Sequence, residues 1–261
     1  MPIVTLTTDF GWRDYYLGLL KGAMLRNHAS LNLVDITHDI QTYDIVQAAF
    51  IFRNIWKNFP KGTIHLVSVN DFGSPQSGFI AIQHHGHFFV GPDNGLFSLV
   101  FDQVPTLIQQ LPYQEDGHFP LKEIYAEAIG HLANGKPIHE LGEPKEELEQ
   151  RITFQPVIGA SRIRGSVIHI DNYENVILNI TKDLFQQVGG ERSFTLSFKR
   201  HDPITQLSNH YYEVPVGEIL CLFNSADYLE IAINMGKASS LLGLQIEDTV
   251  QVDFNSRPKR K

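Results

Sequence analysis

The sequence has little of three things: cysteine, net positive charge and long apolar runs. Its only cysteine, Cys221, lies in the apolar segment 219–223, so the chain cannot form an internal disulfide. We expect that thiol to be a small buried hydrophobic group in a reducing compartment. The net charge of −8 provides no basic field to attract nucleic acid or anionic lipid.

Membrane and secretory signals are also missing. No stretch approaches the roughly 18 consecutive apolar residues that a membrane-spanning helix requires. Residues 1–9 have no basic region followed by an apolar one, so we expect no signal peptide and a cytoplasmic location. What is present, 43% apolar and 19% charged residues in a chain of 261, is ordinary for a globular protein.

Strand-like and helix-like segments alternate in the first half of the chain. β-Branched apolar runs predict strands at 3–7, 31–37 and 63–69, and apolar residues at helical spacing predict helices at 14–26, 43–56 and 122–134. This alternation predicts βαβ units around a mostly parallel sheet. We therefore assign residues 1–150 to an N-terminal α/β domain.

The pattern changes after residue 142. Residues 142–155 are charged and contain proline, and we interpret them as a linker. Short apolar runs bounded by turn residues then predict strands at 164–170, 176–180, 193–198, 218–223, 228–233 and 249–254. We expect residues 151–261 to form a smaller all-β domain, an antiparallel sandwich or barrel.

Three histidines, His84, His85 and His87, lie at the tip of a predicted hairpin and suggest a metal site. Adjacent strand residues point to opposite faces, however, and no obvious carboxylate or thiol partner is near. We interpret the segment as a polar turn facing solvent and expect no metal.

Acidic residues follow the predicted parallel strands: Asp9 and Asp14, then residues 35–39, then Asn70 and Asp71. Loops at the carboxyl ends of such strands are where open α/β sheets bind ligands. Paired carboxylates there suit a ribose diol or a divalent cation. The alternative is local: Asp9 caps the following turn and Asp14 caps the following helix.

Two polar turns stand out in the second half, Asp171-Asn172-Tyr173-Glu174-Asn175 and Asn224-Ser225-Ala226-Asp227. Each lies between apolar strands. By themselves they are typical of ordinary hairpin tips.

The order of several motifs resembles the S-adenosyl-L-methionine hydroxide adenosyltransferases and their fluorinase and chlorinase relatives. Each motif is modest, but their shared order and spacing along nearly the whole chain is specific. They are Thr8-Asp9-Phe10-Gly11 with Asp14, Gly18 and Lys21-Gly22; Val34-Asp35-Ile36-Thr37-His38; Phe59-Pro60-Lys61-Gly62-Thr63 with His65; Val90-Gly91-Pro92-Asp93-Asn94-Gly95; Ile170-Asp171 with Asn175-Val176-Ile177-Leu178-Asn179-Ile180; Asn224-Ser225 with Tyr228-Leu229-Glu230-Ile231-Ala232; and Leu242-Gly243.

The resemblance implies an N-terminal α/β domain and a C-terminal β-barrel. It also implies a homotrimer that binds S-adenosyl-L-methionine between one subunit's N-terminal domain and a neighbour's C-terminal domain, with no further cofactor. Asp9 would hold the ribose hydroxyls and Tyr43 would stack beside the nucleoside. A longer set of residues would contact the rest of the ligand: Asp14, Asp171 and Ser225 at the methionine end, and Asn175 with the segment near Met235 at the adenine.

The family reaction is substitution at the ribose 5′ carbon, with methionine as the leaving group. In the hydrolysing members an aspartate and an arginine, in a motif like Val-Asp-Pro-Gly-Val-Gly-Thr-x-Arg, and a histidine, in one like Phe-His-Gly-Arg-Asp, position and activate the water. This sequence has Asn70, Ser77 and Pro120 at those three positions. Halogenase activity is not expected either, because Leu121 replaces the small residue at the halide site.

Three hypotheses follow. The leading one is a binder of S-adenosyl-L-methionine or adenosine with weak, altered or absent hydrolysis, because the ligand-contact residues remain while the nucleophile-activating ones do not. The second is an active hydrolase in which Asp71 and His118 substitute for the lost groups. The third is a structural or regulatory protein that retained only the fold.

Overall fold

The computed structural model describes residues 1–73, 78–105, 107–113, 119–199 and 201–255. The chain divides into two compact units, Met1–Thr153 and a second from Phe154 onward. This division is close to the predicted boundary between residues 150 and 151. Within the described residues, no helix is long and apolar enough to cross a membrane.

The first unit is an α/β unit built on one sheet with strand order β2-β1-β3-β5-β4-β6-β7. Strands β1, β2, β3 and β5 pair in parallel, whereas the pairs β5–β4, β4–β6 and β6–β7 are antiparallel. The prediction of a mostly parallel sheet with flanking helices is therefore confirmed. Its elements are β1 (Ile3–Thr8), α1 (Tyr16–Asn27), β2 (Asn32–Thr37), α2 (Ile45–Arg53), β3 (Ile64–Ser68), β4 (Phe79–His84), β5 (His87–Pro92), α3 (Leu96–Val100), β6 (Leu107–Leu111), α4 (Leu121–Ala133) and β7 (Glu143–Pro144).

Two apolar clusters hold this sheet. One contains Val4 and Leu6 with residues of α1 and α4, and the other contains Val67 and Phe89 with residues of α2 and α3. A parallel strand buried in this way reads as a continuous apolar run, which is why the central strands were predictable. The arrangement places the carboxyl ends of β1, β2 and β3 along one edge; Asp9 and His38 directly follow β1 and β2, and Asn70 follows β3 after Val69.

The segment interpreted as a linker is held on the first unit instead. Residues Glu143–Pro144 pair with β6 as an edge strand. Lys145 Nζ is 2.7 Å from Asp93 Oδ2, and the Glu149 backbone N–H donates to Asp93 Oδ1 at 2.9 Å. Asp93 is buried, so its charge needs these partners. The charged, proline-containing composition of residues 142–155 did not predict this attachment to the first unit.

The tip of the histidine hairpin, His85-Gly86, is an exposed turn as expected, but His87 is not part of it. His87 is buried, and its Nδ1 lies 3.2 Å from Nε2 of His65, whose Nδ1 lies 2.7 Å from Thr5 Oγ1. Strand alternation explains this: His87 begins β5 on the face that packs inward. In the part of the chain that the structure describes, no three His, Cys, Asp or Glu side chains are placed to hold a metal.

The second unit is an antiparallel half-barrel around its own core, with strand order β11-β14-β9-β10-β13-β12 and β8 paired to β9. This confirms the predicted all-β second domain. The helices α5 and α6 of this unit were not predicted; Thr181 Oγ1 caps α5 by accepting from Leu184 N, and Phe185 of α5 enters the core. The elements are β8 (Val157–Ile158), β9 (Arg162–Ile170), β10 (Val176–Thr181), α5 (Lys182–Gly189), β11 (Phe194–Phe198), β12 (Ile219–Phe223), β13 (Tyr228–Ile233), α6 (Ala238–Leu242) and β14 (Thr249–Phe254).

Candidate functional site

The carboxylate of Asp9 joins two distant loops of the first unit. Its Oδ2 accepts the backbone N–H of Tyr43 at 3.0 Å and that of Asn70 at 3.3 Å. Both donors have positive φ angles, 68° and 53°. Asp9 therefore does not cap its own turn; its Oδ2 fixes the loops before α2 and after β3, and its Oδ1 has no hydrogen-bond partner among the described residues.

Asp14 lies exposed in the loop before α1. The helix begins after Tyr15, which makes no side-chain cap, so the prediction that Asp14 caps this helix is wrong. The Asp14 carboxylate makes no hydrogen bond or ion pair with the described residues. Tyr43, beside the bound Asp9, is 70% exposed. A free carboxylate and an exposed ring thus lie in two loops at this edge.

The amide of Asn70 is half-buried in a turn held from two sides. Asn94 Nδ2 donates to the carbonyls of Val69 and Asn70, at 2.9 and 3.1 Å. A Cβ on Gly73 would lie 2.5 Å from Asn70 Nδ2, so the glycine lets the amide fold over the turn. The hydrogen bonds from Asn94 and the close approach of Gly73 therefore hold the Asn70 turn in place.

Asp71 points into the interior of the first unit. Its Oδ2 accepts from Ser68 Oγ at 2.8 Å, and its Oδ1 accepts from the Tyr125 hydroxyl. Burial raises the pKa of the Asp71 carboxyl to about 7, although both hydroxyl donors act in the opposite direction. The Asp71 side chain is 5% exposed and both its oxygens accept hydrogen bonds. This carboxyl therefore links α4 to the loop after β3.

The third position that the resemblance assigns to activation of the nucleophile is the start of a helix. Pro120 is the N-cap of α4, and its carbonyl accepts from the backbone N–H groups of Glu123 and Ile124, both at 3.1 Å. Leu121, which the resemblance places at the halide site, is buried. Ser77 and His118 lie outside the described residues.

A buried histidine fixes the neighbouring loops, a role that sequence reasoning did not identify. His38 Nδ1 is 2.8 Å from Thr8 Oγ1, and its carbonyl accepts the Gly11 N–H at 2.8 Å. Its Nε2 lies 3.0 Å from Asp35 Oδ1 at an angle poor for a hydrogen bond, and Lys21 Nζ is 2.7 Å from Asp35 Oδ2. Burial lowers the pKa of His38, so the ring is neutral.

In the second unit, Asp171 closes its own turn. Oδ1 accepts the N–H groups of Tyr173 and Asn175, at 2.9 and 2.8 Å, and Oδ2 accepts from Asn175 Nδ2 at 3.0 Å. A carboxylate only accepts, so the Asn175 amide must present its NH₂ to Asp171. The carbonyl oxygen of that amide stays unpaired among the described residues.

Two further predicted contact residues are exposed. Ser225 lies in the turn between β12 and β13, where Asn224 Oδ1 accepts from Ala226 N at 3.0 Å and Tyr228 N at 3.1 Å. Met235 lies after β13, with φ of 56° and 86% exposure. Both backbones are thus set by turn geometry.

A buried carboxyl, Glu230, lies on β13 just after the Ser225 turn and was singled out only as part of a motif. It is paired in register with Ile177 of β10, and its Oε1 accepts from the Tyr211 hydroxyl at 2.8 Å. Burial raises the pKa of Glu230. Its signal in the sequence was a single acidic residue inside an apolar strand.

The structure therefore brings together Asp9, Tyr43 and Asn70 in the first unit, and Asp171 with Asn175 in the second. These sets carry one rigid acceptor, one exposed ring and one free amide oxygen. Such groups can bind a polar molecule with hydroxyl and amino donors. Neither set contains an uncharged side chain that faces solvent and could act as a general base.

Comparison with known proteins gives matches over both units. Residues 4–142 match the SAM hydroxide adenosyltransferase N-terminal domain, and residues 165–251 match the C-terminal domain of that family. The chain is 26% identical to a protein named (R)-S-adenosyl-L-methionine hydrolase from Methanocaldococcus jannaschii, covering 97% of both chains. It is 22% identical to a fluorinase from Nocardia brasiliensis, covering 96% of both.

Solved structures agree. An uncharacterized conserved protein from Thermotoga maritima superposes with a TM-score of 0.84 at 26% identity, covering 97% of this chain and all of that one. A conserved hypothetical protein from Thermus thermophilus gives 0.77 at 25% identity, covering 98% and 100%.

Proposed function

The chain belongs to the SAM hydroxide adenosyltransferase family, and on that basis we propose that it binds S-adenosyl-L-methionine or adenosine, with weak, altered or absent hydrolysis at the ribose 5′ carbon. One observation carries the proposal. Two backbone N–H groups hold Asp9 Oδ2, and Oδ1 has no hydrogen-bond partner among the described residues, whereas Asn70 and Pro120 occupy positions where the resemblance places an acid–base residue.

Ribose recognition is assigned to Asp9. Two backbone N–H groups hold Oδ2, so the carboxylate needs no reordering to accept hydroxyl hydrogen bonds through Oδ1. Tyr43, whose backbone supplies one of those N–H groups, has an exposed ring beside it that suits stacking on a nucleoside. Asp14 adds a free negative charge, which favours a cationic sulfonium or ammonium group.

Base recognition is assigned to Asn175. Its free amide oxygen accepts a hydrogen bond, so it suits an exocyclic amine and not a carbonyl. We therefore expect adenosine to bind more tightly than inosine. Ser225 and Met235 remain assigned to this ligand by resemblance.

Weak hydrolysis follows from the chemistry of Asn70 and Pro120. An amide can orient a water molecule but cannot remove its proton, and the proline ring has no titratable group. Loss of a general base typically lowers the rate by about 10²–10⁴-fold. Asp71 is an alternative base of suitable pKa, but both its oxygens are engaged in the interior.

Isothermal titration with S-adenosyl-L-methionine and with adenosine tests the binding. We expect saturable heat with at least one ligand, and a loss of affinity of at least about tenfold in Asp9→Ala. Asp183→Ala, an exposed aspartate on α5, is the matched control and should bind as the parent does. No heat with either ligand at high protein concentration would leave only the structural or regulatory hypothesis.

Chromatographic analysis of adenosine and methionine release separates the binder from the active hydrolase. Enzyme-dependent adenosine that Asp71→Asn or His118→Ala abolishes would favour the second hypothesis. We also propose, from the resemblance, a cytoplasmic homotrimer. Light scattering of the purified protein tests its size, and a monomer would contradict it.

A further inference from the structure

Glu174 has a backbone conformation that favours glycine. Its φ angle is 62°, in the left-handed region where a Cβ atom is disfavoured. It lies within the Asp171 turn, directly before Asn175. A strained backbone in a turn that carries candidate ligand groups indicates that the Glu174 side chain makes contacts that stabilise it.

The Glu174 side chain fastens this turn to the segment around α6. Oε1 is 2.7 Å from Lys237 Nζ, and Oε2 accepts from the backbone N–H of Ser240 at 3.2 Å and from its hydroxyl. The Glu174 carbonyl also accepts the Ser239 N–H at 2.9 Å. The hydrogen bond from Lys237 lowers the pKa of the Glu174 carboxyl, which is therefore charged at neutral pH.

The two fastened segments carry the groups assigned to the purine base. Asn175 follows Glu174 in the chain, and Met235 precedes Lys237 by two positions, with Gly236 between them. Gly236 N donates to the Ile233 carbonyl at 2.9 Å, so the Met235 segment is a tight turn. The Glu174 side chain therefore ties the turn that carries Asn175 to the segment that carries Met235.

We propose that Glu174 is a positioning residue for purine recognition, holding the Asn175 amide and the Met235 segment at the separation that a 6-aminopurine requires. The inference rests on the proposed nucleoside binding. Glu174 touches no ligand; it acts through Asn175. From this left-handed backbone the carboxylate reaches Lys237 and Ser240.

Glu174→Gly tests this, because it removes the carboxylate that joins the two segments and also relieves the strained backbone conformation. Glu247 provides the matched control: it also has a left-handed backbone, φ 71°, and is exposed, and the structure shows no side-chain partner for it among the described residues. We expect Glu174→Gly to weaken adenosine binding about tenfold, equivalent to about 1.4 kcal/mol. We also expect a smaller ratio between adenosine and inosine affinities, with both unchanged in Glu247→Gly.

Lys237→Met should reproduce the Glu174→Gly effect, since it removes the other half of the ion pair. Parent-like affinity and ratio in Glu174→Gly would overturn the proposal. So would a lower melting temperature with an unchanged ratio, since that indicates a structural role only. If the parent protein binds no nucleoside, the proposed function itself fails, which the parent titration reveals separately.

Discussion

The hydroxyl of Tyr125 donates a hydrogen bond to the carboxyl of Asp71, although 54 positions separate these residues in the sequence. The contact ties α4 to the loop after β3, directly beside Asn70. It also buries a titratable carboxyl whose pKa is raised to about 7. Stability and pH are therefore linked at this point.

Asp71→Asn should change how stability depends on pH. The folded pKa of Asp71 lies above its unfolded value of about 3.9, so its contribution is complete below pH 4 and is lost as pH rises through 7. The amide in Asp71→Asn does not titrate, so the variant does not lose stability in this way as pH rises. Its free energy of unfolding relative to the parent should rise by a few kcal/mol between pH 4 and 8, as measured by urea denaturation. Parallel pH profiles would contradict the assignment.

His65 should act in the opposite direction. Burial, with the neighbouring His87, lowers its pKa from 6.5 to about 3, so its stabilising neutral form is favoured above pH 6.5 and stability falls as pH drops toward 3. His65→Gln should be less stable at pH 7 but lose less on acidification. His139→Gln, an exposed histidine of the same unit, is the control. Equal acid sensitivity in His65→Gln and the parent would refute a neutral buried ring.

Introducing the residues that the resemblance implies for hydrolysing members should increase hydrolysis. The triple variant Asn70→Asp, Ser77→Arg, Pro120→His should release adenosine and methionine about 10²–10⁴-fold faster than the parent, by chromatography. Aspartate tolerates the left-handed backbone of position 70 as asparagine does. Asn70→Ala serves as the control, and it should gain nothing. A variant that binds S-adenosyl-L-methionine but hydrolyses it at the parental rate would contradict the explanation.

Cys221 should be unreactive in the folded protein. Burial raises its thiol pKa to about 12, and its Sγ lies 3.5 Å from the Gln206 carbonyl. Since only the thiolate attacks disulfide reagents, labelling by an aromatic disulfide at pH 8 should occur only after unfolding. Rapid labelling of native protein would show that the second-unit core opens easily.

Local patterns predicted much of the fold. The continuous apolar runs of β1 and β3 and the helical spacing in α4 placed these elements within a few residues of their observed bounds. The same patterns missed α5 and α6, which are short helices between strands, although Leu184, Phe185 and Val188 of α5 recur at helical spacing. Residues 142–155 were misread as a linker because their pairing with β6 and their contacts with Asp93 join distant residues, which short-range periodicity does not report.

The sequence by itself determined the two-domain class, the family resemblance and the absence of acid–base residues at Asn70, Ser77 and Pro120, because these depend on residue type and order. Only the tertiary structure decided where the polar groups point. It turned Asp71 inward to Tyr125, made Asp9 a bridge between loops, and tied Glu174 to Lys237. Each of these contacts joins residues more than 30 positions apart. A buried or ionised group pairs with whichever polar group the fold brings close to it, and local sequence does not specify that group.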